Sequence, residues 1–311
     1  MKKVIYNRYG NAEVLQLIET PVPAIPENGI LVKIKAVSIN PLDWKIFKGE
    51  EKLMSGSKFP KGIGIDFSGI IEKTGSNSSF KKGDEVFGLL GAFKGDALAE
   101  YLVVKESDIA IKPANISFEQ AAASPVVGAS ALQILNTLAS VKNGTRLLIN
   151  GATGGIGMFL TQLAKKRGAV VTAVTSSKGG VLAKKWGADE VIDYKAQNIL
   201  ATDRRFDVVA DLSGKLSFNN AKRLLNAGAT FITTIPGLKT IAGSFLNNLF
   251  SATKYKVLIL KPTNSSLKSL GGFIEDGLDI VVEKVYPITA VKAAYKEIAK
   301  GGIIGKAVIT V

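Results

Sequence analysis

The chain has no cysteine and no histidine among its 311 residues. That removes thiolate and imidazole chemistry together: no Cys nucleophile, no His general base and no Cys/His zinc site. It also removes disulfides, which agrees with a reducing compartment. Chemistry must come from Lys, Tyr, Asp, Glu, Ser, Thr, Asn, the backbone or a bound cofactor. Long apolar runs are missing too. The stretch "YKVLIL" at 255–260 is strand-sized, far short of the roughly 18 residues that span a bilayer. The opening "MKKVIYNRYG" has two lysines but too short an apolar segment for a signal peptide, so a cytoplasmic location is expected. There is no tandem repeat, low-complexity stretch, long linker or block of five like charges.

Acid is scarce in one region. Residues 116–260 carry 17 basic and 7 acidic side chains, against 16 and 14 over 1–115 and 7 and 5 over 261–311, for a net charge of +14. A basic middle suits an anionic cofactor, a nucleic acid or an anionic membrane surface, and a solvated lysine-rich surface equally. Basic residues do not interleave with aromatics and no reader helix is visible, so no nucleic acid is expected. Peripheral membrane contact stays open.

What is present divides near Pro113. The first ~115 residues read as short strands and turns: "KVIYNRYG", the period-two run "ILVKIKAVSI", "GIIEKTG", "DEVFGLL" and "LAEYLVVKESDIAIKP". After that, "SFEQAAASPVVGASALQILNTLA" is helical, with Ser117 as N-cap and Gln120 three residues on, and Pro125 splits it in two. Strand and helix then alternate: "TRLLIN", "GMFLTQLAKKRG", "AVVTAVTS", "VLAKKWG", "EVIDY", "FDVVADLSG", "FNNAKRLLNAG", "ATFITTIPG", "YKVLIL", "SSLKSLGGFIEDG" and "LDIVVEK". This rhythm predicts a parallel sheet covered by helices, an α/β fold. From Tyr286 onward one helix and a final strand return to the first domain. The expected organisation is a β-rich domain over 1–115 and 286–311, interrupted by a nucleotide-binding domain over 116–285.

Between an apolar strand and a helix lies "INGATGGIGMF". Its spacing, Gly151-x-x-Gly154-Gly155-x-Gly157, departs from G-x-G-x-x-G, but its context is a strand–turn–helix inside a βαβ unit of roughly thirty residues. Gly154 and Gly155 let backbone N–H groups approach a pyrophosphate, Gly157 lets the helix pack close to the sheet, and the helix N-terminus favours anions. A tight turn without ligand has the same outline. An NAD site usually carries an acid at the end of the second strand for the ribose 2′-hydroxyl. Here no acid occurs from Gly151 to Ala188, and the strand ends in Ser176, Ser177 and Lys178. Those donors suit a 2′-phosphate and hence NADPH; Lys178 opening an exposed helix is the other reading.

Several stretches, in order, resemble the zinc-free medium-chain dehydrogenases/reductases, in their quinone oxidoreductase and enone reductase branch: "SINPLDWKIFKG", "GIDFSGIIEKTG", "FKKGDEVFG", "AEYLVV", "AAASPVVGASALQIL", "NGATGGIGMFLTQLAK", "GADEVIDYK" and "GKAVITV". The likeness covers essentially the whole chain, and "NPxDWK" resembles the chloroplast-envelope-type quinone oxidoreductase homologues. It implies a GroES-like β-barrel domain interrupted by a doubly wound Rossmann domain, with NADPH between them, and a homodimer. Zinc-dependent relatives place a Cys and a His where this chain has Asn40 and Ile65, so no metal is expected.

The resemblance assigns the cofactor to Gly151, Ala152, Thr153, Gly154, Gly155 and Ile156 of the loop, and to Thr175, Ser176, Ser177, Lys178 and Tyr194 around the 2′-phosphate. It also assigns Leu212 and Ser213 to the cofactor, and Thr233, Thr234 and Pro236 of "FITTIPG" to the nicotinamide ribose. Val127 and Ser130 of "PVVGAS", Asn40 and Lys306 complete the set. Tyr194 and Ser130 also read as ordinary half-buried positions. Asp66 reads as structural, bonding backbone or a nearby Lys, and Pro41 and Trp44 as packing.

The implied activity is hydride transfer from NADPH to a small electrophilic carbonyl or quinone, at the β-carbon of an enone. The enolate charge develops at the carbonyl oxygen, with Asn40 and Lys45 as catalytic donors. For Lys45 the other reading is a solvated lysine held by Asp43. The proton comes from solvent or a tyrosine. Substrate contacts are expected around 45–60, 90–95 and 237–255, and "GLKTIAGSFLNNLFSATKYK" reads as surface helix, lid or dimer contact. A different class is an NADPH-sensing or membrane-associated binding protein with little or no activity.

Overall fold

The computed structural model describes residues 1–260 and 263–311. The chain opens with eight strands: β1 (Lys2–Tyr6), β2 (Gln16–Glu19), β3 (Ile30–Ser38), β4 (Lys61–Gly62), β5 (Asp66–Thr74), β6 (Glu85–Leu89), β7 (Tyr101–Val104) and β8 (Ile109–Ile111). Six follow: β9 (Arg146–Asn150), β10 (Val170–Thr175), β11 (Glu190–Asp193), β12 (Phe206–Asp211), β13 (Leu225–Thr233) and β14 (Lys254–Val257). The chain closes with β15 (Val282–Pro287) and β16 (Lys306–Thr310). It divides into two compact units, Met1–Val126 with Pro262–Val311, and Val127–Lys261.

In the first unit, β1 pairs antiparallel with β2 and β4, and a seven-stranded sheet runs β15-β16-β3-β5-β6-β8 with β7 on β3. The two long strands, β3 and β5, are buried over most of their lengths because both faces are covered. Helix Phe118–Ala122 packs on β3, β5 and β6, and Ser68 Oγ donates to Phe118 C=O at 2.6 Å. Ser117 and Gln120 form the capping box expected from their spacing.

The second unit has six parallel strands in the order β11-β10-β9-β12-β13-β14. Counted within the unit this is 3-2-1-4-5-6, the Rossmann order, with its switch point at β9. As a central strand β9 is apolar on both faces, and Leu147, Leu148 and Ile149 are fully buried. Each such side chain contributes about 1.5–3 kcal/mol on burial. Leu148, Val174, Ile192, Val209 and Phe231 meet in one core cluster.

The unit boundaries differ from 115/116 and 285/286. Segments 116–126 and 263–285 pack with the β-rich unit. Asn115 Nδ2 donates to Ile274 C=O at 3.0 Å, Gln120 Nε2 to Ile280 C=O at 3.0 Å, and Asn264 Nδ2 to Ile109 C=O at 2.9 Å. The strand expected from "LDIVVEK" is β15, parallel to β16 in the β-rich sheet and not in the Rossmann sheet. The reason is local: β15, helix Val291–Ile298 and β16 make a βαβ unit of their own, whose pattern matches the Rossmann alternation.

Candidate active site

Register brings the ends of five strands of the second unit to one line. Val174 pairs with Asn150, Thr175 with Asp193, and Asp211 with both Asn150 and Thr233. The loop residues Gly151–Ile156, then Thr175–Lys178, Tyr194, Leu212–Ser213 and Thr233–Pro236 all follow those ends. This is the carboxyl edge at a topological switch point, where open α/β sheets bind ligands.

The loop is shaped for close approach. Gly151 has φ +91°, and its N–H and that of Ala152 both donate to Val174 C=O, at 3.0 and 3.1 Å. Gly154 caps helix Gly155–Lys166, whose first rung is Met158 N–H to Gly154 C=O. The amides of Gly155, Ile156 and Gly157 precede that rung, the orphan donors of a helix start. A Cβ on Gly157 would lie 2.3 Å from Gly151 O and 2.5 Å from Ala152 C, so only glycine lets the helix turn this near the loop. The cradle fits a pyrophosphate. Thr153 is buried and its hydroxyl bonds that of Thr175. Ser177, Lys178 and Tyr194 are exposed, and Tyr194 N–H donates to Thr175 C=O at 3.1 Å.

Across the switch point Asn150 Nδ2 donates to Asp211 Oδ1 and Ser213 Oγ, both at 2.9 Å, and Ser213 Oγ donates to Asp211 Oδ1 at 2.9 Å. Asp211 also accepts Leu216 N–H on Oδ2. This triad holds the second loop in shape beside Gly151; Asn150 and Asp211 meet only through the register of β9 and β12. Val127 and Ser130 are buried in helix Pro125–Gln133.

The first unit contains a buried ionic cluster. Asn40 caps helix Pro41–Lys48 and is 2% exposed. Lys306, 4% exposed, donates from Nζ to Asn40 Oδ1 at 2.7 Å and to Ile39 C=O at 2.8 Å. Asn40 N–H donates to Asp43 Oδ2 at 2.8 Å, and the Tyr295 hydroxyl donates to the same oxygen at 3.1 Å. Ser38 Oγ donates to Asp66 Oδ2 at 2.8 Å.

Two carboxylates and one ammonium are thus removed from water. Burial pushes Asp43 up to about 7; the Asn40 N–H opposes this, Asp66 adds to it, and Lys306 and Tyr295 oppose it. Burial pushes Asp66 up to about 6 against Lys306 and Ser38. Burial lowers Lys306 against the pull of both acids, and raises Tyr295 well above the ordinary phenol.

Asn40 and Lys306, named as separate cofactor contacts, are therefore bonded to each other. Lys45 is half-buried on the same helix as Asn40, and Asp43 does not hold it. Asp43 is turned inward because its carboxylate closes the capping box and meets Tyr295. Asp66, read as bonding backbone or a nearby Lys, accepts from Ser38 Oγ, and the Lys306 charge, the Asn40 side chain and the Val126 N–H also favour its ionised form. Tyr295 lies 252 positions from Asp43, beyond any local pattern. A cavity of about 300 Å³ adjoins the cluster, and Tyr6, Asp43, Ile46, Ile63, Ile65 and Phe93 line part of it. Ser55, Phe93 and Lys94 are lining residues from the stretches expected at 45–60 and 90–95.

Known proteins share this architecture. Residues 26–114 match the alcohol dehydrogenase GroES-like domain, and residues 186–309 match the family described as zinc-binding dehydrogenase. The chain is 31% identical over 322 residues to the chloroplast envelope quinone oxidoreductase homolog of Arabidopsis thaliana, covering 99% of this chain and 98% of that protein. It is 33% identical over 327 residues to the 2-methylene-furan-3-one reductase of Solanum lycopersicum, covering 99% and 79%. Its fold superposes on the quinone oxidoreductase of Coxiella burnetii with a TM-score of 0.89 at 30% identity, covering 100% and 99%. The Escherichia coli quinone oxidoreductase complexed with NADPH gives 0.86 at 25% identity, covering 100% of each chain. The chain belongs to the medium-chain dehydrogenases/reductases. Within that family it stands with the quinone oxidoreductase homologues, and it is an NAD(P)H oxidoreductase of that type.

Proposed function

We propose that this chain is a zinc-independent, NADPH-preferring reductase of quinones or of the C=C bond of α,β-unsaturated carbonyls. The observation that carries the cofactor choice is the edge of β10 and β11. Lys178 and Tyr194 follow strand ends paired at Thr175 and Asp193, with no carboxylate on the second strand's end to take a ribose diol. Cation and phenol there favour a 2′-phosphate. The loop amides at 155–157 hold the pyrophosphate. Bound there, the cofactor supplies a hydride.

A catalytic zinc does not fit the donors. The chain has neither thiolate nor imidazole, and among the described residues no three Asp or Glu side chains group to hold an ion. Position 40 holds a carboxamide anchored to Lys306, and position 65 a buried isoleucine. Without a Lewis acid the acceptor must be reactive by itself, as a conjugated carbonyl or quinone is. The names of the Arabidopsis and tomato relatives agree with those two acceptor classes. Lys306 engages Asn40 Oδ1 while Asn40 Nδ2 donates to Ser38 Oγ at 3.5 Å, so a developing oxyanion would have to share that N–H₂ group with the buried cluster. Ile46, Ile63, Ile65 and Phe93 form the apolar part of a cavity lining that also carries Asp43, Ser55, Lys61, Lys94 and Asp96. A homodimer belongs to the same reading, since β14 is the sheet's edge strand and Phe245 and Phe250 of helix Leu238–Phe250 are exposed.

The test is a panel of a quinone, an enone and a saturated ketone with NADPH and with NADH. The first two are reduced faster than the ketone, and NADPH is preferred. Good turnover of the ketone alone overturns the reading.

A further inference from the structure

Helix Leu238–Phe250 is folded with its polar side inward. Thr240, Gly243, Ser244, Asn247 and Asn248 share one arc of the helix and are half-buried. The opposite arc carries Ile241, Phe245 and Leu249 in one row and Ala242, Leu246 and Phe250 in the next, each at i, i+4 spacing. All six are exposed, Phe245 by 66% and Phe250 by 86%. A surface helix ordinarily turns its apolar stripe to the core. This one is fastened by hydrogen bonds instead.

The homodimer read above has two surfaces to choose from, the edge of β14 and this helix. The edge is closed. Tyr255 N–H donates to Asn248 Oδ1 at 2.8 Å, and Tyr255 C=O accepts from Asn248 Nδ2 at 2.8 Å and from Ser244 Oγ at 2.6 Å. Thr253 C=O accepts from Asn247 Nδ2 at 2.8 Å, and Thr240 hydrogen-bonds the Tyr255 side chain. β14 has four residues, and its other side pairs with β13. The outward groups of Tyr255 are therefore spent within the chain, as at a sheet edge covered by a helix. A second copy would have to break these bonds to add a strand there.

We propose that two copies of this chain associate through the apolar arc of helix Leu238–Phe250, row against row about a two-fold axis, with β14 taking no part. The inference rests on the homodimer of the reductase reading and names its surface. A two-fold contact sets a patch against itself, so the patch must be self-complementary. The six side chains carry no charge, so no ion has to be paired or stripped of water. Their exposed parts come to on the order of 500 Å² per copy. Two copies then bury about 1,000 Å², the size a specific contact needs. Rows at i, i+4 spacing are the ridges that interlock when helices pack. An anionic lipid surface asks for Lys or Arg beside the apolar arc. Lys239 is the one charged residue of the thirteen, and the nearby Lys254 Nζ is turned to the helix carbonyls of Asn248 and Ser251, at 3.3 and 3.1 Å.

The chain has no cysteine, so single-cysteine variants report the contact cleanly. Leu246 lies near the middle of the arc, close to the proposed axis. Leu246→Cys is expected to form an intermolecular disulfide under mild oxidation with copper phenanthroline. Val181→Cys, at a 78% exposed position of helix Ser177–Lys185, is expected to form none. Phe245→Asp brings a carboxylate from each copy into the contact. Its dimer Kd, by analytical ultracentrifugation, is expected to rise at least on the order of 100-fold, with the circular dichroism spectrum unchanged. Leu249→Ser shifts Kd the same way by less. A dimer that survives Phe245→Asp, or a Leu246→Cys that crosslinks no more than Val181→Cys, overturns the proposal and leaves the homodimer reading on another surface. A wild-type chain that is monomeric at every concentration removes both. If that monomer sediments with phosphatidylserine vesicles and Phe245→Asp does not, the arc belongs to lipid and the proposal is overturned as well.

Discussion

Lys306 Nζ lies 2.7 Å from Asn40 Oδ1, joining the last strand of the chain to the N-cap of its first α-helix across 266 positions. The bond sets the face that the carboxamide presents and places the one ammonium of the cluster near two buried acids. Lys306→Met keeps the apolar stem and deletes the charge. We expect a loss of about 2–3 kcal/mol in stability, as for removal of one partner from a charged buried network, with kcat reduced more than the KM for NADPH is raised. Urea unfolding and steady-state kinetics test this. A stable variant with wild-type kcat shows that Asn40 needs no anchor.

The glycine cradle makes a steric prediction. Gly157→Ala places a methyl 2.3 Å from Gly151 O, in backbone that cannot swing aside. Overpacking of this kind costs about 1–3 kcal/mol, and the loop must shift away from the phosphate path. NADPH affinity by fluorescence titration is expected to fall together with the thermal midpoint. Unaltered affinity means that the loop does not carry the pyrophosphate.

Cofactor preference is tested at the edge of β10. Lys178→Ala is expected to raise the KM for NADPH roughly tenfold, as loss of one charge-assisted bond does, and to leave NADH within error. Tyr194→Phe shifts the ratio the same way by less. Equal effects on both cofactors place these residues outside the 2′-phosphate site.

Stability depends on pH through the buried acids. Asp66 is raised to about 6 and Asp43 to about 7 in the folded chain, from 3.8. Between about pH 4 and 7 the folded state therefore holds protons that the unfolded chain has released, and stability falls as pH rises through this window. Asp66→Asn, which still accepts from Ser38, is expected to flatten the lower part of that slope. Urea midpoints at pH 4.5, 6 and 8 measure it. A slope equal to the wild-type one assigns the pH dependence to other groups.

Much of this was legible beforehand. The strand–turn–helix at 146–166, the acid-free stretch after it and the capping box at Ser117 and Gln120 are local, and their physics acts within a few residues. Helix Asn264–Glu275 and β15 were legible as elements but not as members of a unit. A βαβ pattern says what forms and not which sheet receives it. The decision came from Asn115, Gln120 and Asn264, whose amides reach backbone carbonyls over 150 positions away.

Composition alone determined that no thiolate, imidazole or disulfide takes part, because those groups are not in the chain. Local order determined the glycine turn and the helix start after β9, because glycine spacing and helix starts act through adjacent backbone. Only the tertiary structure decided that Asn40, Asp43, Asp66, Tyr295 and Lys306 form one cluster. Their charges are shifted by burial and by one another, and both depend on distances that sequence separation does not specify.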